Sequence, residues 1–180
     1  ALVEVLERSP DEQEPPCPHA GRCGGCSWQS LAYGRQLAWK ERIVHDALER
    51  VGKVACPPML PILPSPSEWG YRNKMEFAFG VSGDGGKALG LRERGSRNIV
   101  EVTGCLLQRP LTMRVLEAVR MLSNGAFHDL DGRFLVVREP NAGGCFVELI
   151  VGAGGSLEAG ERFAEALRAE TPEVTGFALS

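Results

Sequence analysis

Apolar residues recur at helical spacing from about Ser30 to Val51, at Leu31, Leu37, Val44, Leu48 and Val51. Lys40, Glu41, Arg42, Glu49 and Arg50 take the other side, so this stretch predicts an amphipathic helix, with Gly52 as its C′ stop. A second helical pattern covers 110–123, with Leu111, Val115, Ala118, Val119 and Leu122 inward and Pro110 in the first turn. A third covers about 157–169. Between the first two helices the period changes to two. In "RNKMEFAFGV", Met75, Phe77, Phe79 and Val81 alternate with Lys74, Glu76 and Ala78, which predicts a half-buried strand. The turn cluster "SGDGG" then leads into "KALGLRER", giving a hairpin, and "NIVEV" (98–102) makes a third strand. "RFLVVRE" and "CFVELIVG", separated by "PNAGG", are two more, and a last strand lies near 173–178.

Two stretches break the periodicity. "SPDEQEPP" and "CPPMLPILPSPSEW" (56–69) hold three and five prolines and are expected as extended connectors, since proline fits neither a helix interior nor a central strand. Residues 1–8, "ALVEVLER", read as a strand, either the last of a preceding module or one added to this one. Strands that come mostly as hairpins, interspersed with helices, point to an α+β fold: a mostly antiparallel sheet with helices packed on it, plus a Cys-rich loop at 17–26.

Composition changes this picture little. With 43% hydrophobic residues and 24% charged ones, 180 residues suit one domain, or one domain plus a short appendage. The chain begins at Ala1 and ends after a strand-like run, so it reads as a piece of a longer protein. The net charge of −3 argues mildly against a dedicated nucleic-acid-binding domain. From Tyr71 to Arg97, however, six basic residues stand against three acidic ones. Of these, Arg72, Lys74, Arg92, Arg94 and Arg97 fall on adjacent predicted strands or their turn, as a candidate phosphate-gripping stripe. The alternative is a solvated, salt-bridged sheet face. Trp28, Trp39, Trp69 and Tyr71 include possible base-stacking platforms, although for Trp39 packing on its helix is the favoured reading. No apolar run reaches the roughly 18–20 residues of a membrane span.

The cysteines carry the chemistry. Of the six, Cys17, Cys23 and Cys26 crowd into "CPHAGRCGGC", which suits a metal site in a reducing, cytoplasmic setting better than a disulfide framework. Gly24 and Gly25 are expected to take positive φ angles and turn amides toward sulfur. A closed thiolate site needs a fourth ligand. Cys105, in the turn "VTGCLL" after a strand, is favoured over Cys56 in its proline-rich connector and over Cys145 in an apolar strand, where a small hydrophobe is expected. His19 reads as a solvated loop histidine. Zinc is the competing metal, but paired knuckles are its usual pattern, and three clustered ligands plus one remote suit a [4Fe–4S] cluster. A zinc-stapled binding module and an iron–sulfur electron-transfer module are the alternatives to weigh.

The string "PPCPHAGRCGGCSWQSLAYGRQLAWKERIV" resembles the iron–sulfur signature of the RNA (uracil-5-)-methyltransferases that act on 23S ribosomal RNA. Gln29 and "QLAWK" stand where that pattern has a Gln and a Q-L-x-x-K helix. "YRNKMEFAFG" is similar to the family's Y-R-N-K strand, and "LGLRERGSRNIVEVTGC" to the block whose final Cys is the fourth cluster ligand. The resemblance implies a cluster on Cys17, Cys23, Cys26 and Cys105. It also implies that residues 1–8 end an OB-like RNA-binding domain and that 9–180 form a central iron–sulfur domain. A catalytic domain that binds S-adenosylmethionine would lie outside the chain. The implied partner is RNA, 23S rRNA in particular. The fragment alone would be inactive.

Overall fold

The computed structural model describes residues 6–153 and 156–180. Most of the strand expected over residues 1–8 therefore lies outside the described residues; Leu6 and Glu7 are bends. Two compact units are distinguished: residues 1–20 with 26–68, and residues 21–25 with 69–180.

The first unit is built on α1 (Tyr33–Asp46), which runs on into a π-helical turn, Ala47–Val51. The expected helix is present, but its end differs from the expectation. Gly52 has φ −72°, and the left-handed residue is Lys53 at φ 55°. None of the α1 residues is buried, and Val44 and Val51, expected inside, are 51% and 82% exposed. Polar contacts compensate. The proline-rich connector returns along the helix, where Ile62 N–H donates to Glu41 Oε1 at 2.6 Å and Ser65 N–H to Tyr33 Oη at 2.7 Å. On the N-terminal arm, Arg35 pairs with Asp11 at 2.7 Å.

The second unit holds a six-stranded sheet: β1 (Lys74–Val81), β2 (Lys87–Arg92), β3 (Ile99–Val100), β4 (Gly132–Arg138), β5 (Cys145–Val151) and β6 (Val174–Leu179), in the order β3-β2-β1-β4-β5-β6. All pairs are antiparallel except β5–β6, which the crossover helix α3 (Leu157–Glu170) makes parallel. The expected α+β fold is what forms.

Helices α2 (Pro110–Asn124) and α3 supply the apolar stripes that cover one face of the sheet. Phe77, Leu135, Val137, Val147 and Leu149 of the strands are sealed against Val115, Leu116, Val119, Phe163 and Leu167. Phe127 meets Phe163 edge-on, with ring centroids 5.1 Å apart. The register puts Ala78, Gly90, Phe134 and Val136 on the opposite face, where Ala78, Ala88 and Ile99 form a second small cluster with Phe134 against them. The alternation in β1 is thus less strict than expected: Ala78 is buried and Val81 is half exposed. Among the described residues, no helix is long and apolar enough to cross a membrane.

Candidate functional site

Cys23 and Cys105 belong to the sheet unit, and both are half-buried against its main core. Cys23 is held by the exposed end of β2. A β-strand turns successive peptide groups to opposite edges. Glu93 N–H donates to Asn98 O on one edge, at 2.9 Å. On the other edge Gly24 N–H donates to Arg92 O at 2.9 Å, and Arg94 N–H to Arg22 O at 2.8 Å. Cys23 thus bridges Glu93 as a short antiparallel addition to the sheet. Gly25 N–H points at Cys23 Sγ at 3.4 Å, the kind of donor that favours a thiolate. The positive φ expected at Gly24 and Gly25 occurs instead at Gly21 (φ 84°). What Gly24 supplies is close approach, since an added Cβ would lie 3.1 Å from Arg92 O.

Cys105 is set by a different device. Register pairs Leu91 with Val100, and there the β2–β3 ladder stops. The chain leaves β3 directly over Gly90, where a Cβ would sit 2.1 Å from Val100 O. Arg120 of α2 then fills the gap. Its guanidinium donates to Leu89 O at 2.7 and 2.9 Å and to Val102 O at 3.0 Å, with only 11% of the side chain exposed. The carbonyls that a longer β3 would have paired are satisfied by one cation, and the backbone is free to turn toward Cys105. The turn closes with Gln108 N–H donating to Cys105 O at 3.0 Å. Neither Gly90 nor Arg120 was singled out from the sequence. The available signal was an arginine placed next to the apolar stripe of α2.

Cys17 and Cys26 lie in the first unit, both half-buried, and Cys17 O accepts from Ala20 N–H at 3.0 Å in a tight turn. Among the described residues, no three His, Cys, Asp or Glu side chains are grouped closely enough to hold a metal ion. At Cys23, the amide aimed at the sulfur suits a thiolate. Cys145 behaves as expected for filler: it is fully buried, and burial pushes its thiol up to about 11.

The five basic residues are all in the sheet unit. Lys74 opens β1 opposite Arg138 of β4, and Arg92 ends β2, with Nη1 3.4 Å from Arg97 O. Arg94 and Arg97 lie in the β2–β3 turn, and Arg72 is half-buried, its N–H donating to Leu107 O at 3.0 Å. Arg92 and Arg94 line a groove of about 490 Å³ on the sheet face opposite α2 and α3, together with Gly24, Gly90 and Phe134. Glu76 and Glu93 line it too, so this groove is mixed in charge rather than a continuous basic stripe. Hydrogen bonds from Ser96 and Asn98, then Arg22 at 3.7 Å, hold the Glu93 carboxyl below the usual range.

No family model matches the chain. Among curated proteins, the chain is 47% identical, over 97% of its length, to a protein of Nitratidesulfovibrio vulgaris named as an uncharacterized RNA methyltransferase. It is 32% identical over 99% of its length to one of the same description from Nostoc. A third, from Caldanaerobacter subterraneus, is 51% identical over 52% of the chain. The chain spans 39% and 41% of the length of the first two, about two fifths. At this identity along nearly all of its residues, the chain belongs to the same family as these proteins named RNA methyltransferases.

Proposed function

We propose that the chain is the cluster-bearing part of an S-adenosylmethionine-dependent RNA methyltransferase that forms 5-methyluridine, with 23S ribosomal RNA as the substrate. The observation that carries its coarser part is the 47% identity, over 97% of the chain, to a protein named as an uncharacterized RNA methyltransferase. The thiol set and the motifs around it supply the finer assignment. Cys17, Cys23, Cys26 and Cys105 hold a [4Fe–4S] cluster in this reading. A fully ligated cluster supplies covalent tethering and a redox-capable centre, and offers no open Lewis-acid position.

The chain's own residues do three things. The peptide groups of Arg92 and Arg94 hold the Cys23 loop, Arg120 holds the segment that leads to Cys105, and Arg72, Lys74, Arg92, Arg94 and Arg97 meet RNA phosphates. S-adenosylmethionine and the catalytic groups bind outside this chain, and the work takes place in the cytoplasm.

The test is methyl transfer by the protein carrying all its domains, with ribosomal RNA tritiated at uracil C5. Forming a C5–methyl bond breaks the C5–H bond, so tritium release that requires S-adenosylmethionine is expected. Methyl incorporation without tritium release would leave an RNA methyltransferase of a different specificity. No incorporation into any RNA would contradict the reading.

A further inference from the structure

The first unit presents an aromatic cleft that none of the preceding roles uses. Trp28 and Trp39 line it with Leu31 and Ile43, and Ser27 and Ser30 complete its rim, enclosing about 300 Å³. Both indoles are accessible: Trp28 is 36% exposed and Trp39 48%. Trp39 keeps company with Arg42 and Ile43 of its own helix, in line with the favoured expectation, and its ring is still accessible.

The cleft is held in shape. The Gln36 amide Nε2 donates to Trp28 O at 3.1 Å and to Leu31 O at 2.8 Å, tying the turn that carries Trp28 to the helix that carries Trp39. Leu31 N–H closes that turn onto Trp28 O at 3.1 Å. The Arg42 guanidinium lies 6.0 Å from the Trp39 ring centroid and 4.0 Å from Asp46 Oδ2, and its side chain is 68% exposed. Lys40 is exposed on the same helix.

We infer that the Trp28–Trp39 cleft takes an unpaired base of single-stranded RNA, with Arg42 and Lys40 meeting the flanking phosphates. Indole faces accept any base by stacking, and hydroxyls at the rim offer hydrogen bonds to a base edge. A cation at the edge of the aromatic floor complements a polyanion that threads past it. The inference rests on the RNA reading above and adds to it a place where a nucleotide docks.

The test is anisotropy of a fluorescein-labelled oligouridylate titrated with the protein at low salt, beside an abasic oligomer of the same length. Trp39→Leu and Trp28→Leu are each expected to weaken oligouridylate binding about tenfold, the usual worth of one stacked base. Trp39→Phe should stay within about twofold of wild type because phenyl still stacks, and this variant speaks even if Trp39→Leu fails to fold. The abasic oligomer should bind weakly and be indifferent to all three substitutions. Wild-type affinity for oligouridylate in both leucine variants would overturn the cleft assignment while leaving the RNA reading in place. Failure of the wild-type protein to bind any RNA would overturn both.

Discussion

Two residues decide where Cys105 stands, and each has a measurable signature. Gly90 has no room for a methyl group, because the backbone leaving β3 crosses it with Val100 O 2.1 Å from where a Cβ would be. Gly90→Ala forces backbone apart and is expected to lower stability by about 1–3 kcal/mol in a urea melt; a neutral result would mean that the crossing is looser than described. Arg120→Met keeps the side chain's bulk but strands the carbonyls of Leu89 and Val102, at a cost of about 1–3 kcal/mol. Faster amide exchange confined to the segment from Val102 to Cys105 would locate that loss, and uniform exchange across the sheet would contradict the clamp. Cys145 gives a chemical prediction. With its thiol raised to about 11 by burial, it should resist iodoacetamide at pH 8 in the native state and react only on unfolding.

Among the elements, the β2–β3 turn links charge to the Cys23 loop. Hydrogen bonds from Ser96 and Asn98 depress the Glu93 carboxyl below its ordinary 4.5. A depressed acid contributes its stabilisation above the unfolded value and loses it as pH falls through the folded one. The turn from Glu93 to Asn98 should therefore hold at pH 5 and above and loosen only at pH below 4.5. Amide shifts of Gly24 and Arg94 followed through an acid titration would report it; a transition centred above 4.5 would have the wrong sign. The same turn shows what was legible in advance. α2, α3 and the strands declare themselves because their apolar residues are the ones the core requires, at the period each element imposes. α1 was legible as a helix, yet its supposed inner residues Val44 and Val51 stay exposed, because periodicity fixes the face and not the presence of a partner. The β3 divergence, the Arg120 clamp and the shift of the left-handed glycine to Gly21 depend on how non-adjacent backbone segments meet, and no local pattern encodes that.

For the whole molecule, spacing singles out Cys17, Cys23 and Cys26, while the choice of Cys105 rests on its turn and on the family resemblance, and the structure describes what supports Cys23 and Cys105 in the sheet unit. In the proposed function, Cys17, Cys23, Cys26 and Cys105 together hold one cluster. The most direct measurement is purification without oxygen, followed by iron, sulfide and zinc analysis with a visible spectrum, on the wild type and on single Cys→Ser variants. A brown protein with about four irons per chain is expected, the colour lost in the variants at Cys17, Cys23, Cys26 and Cys105 and kept in those at Cys56 and Cys145. A colourless protein holding one tightly bound zinc, or a cluster that survives loss of Cys105, would contradict that assignment.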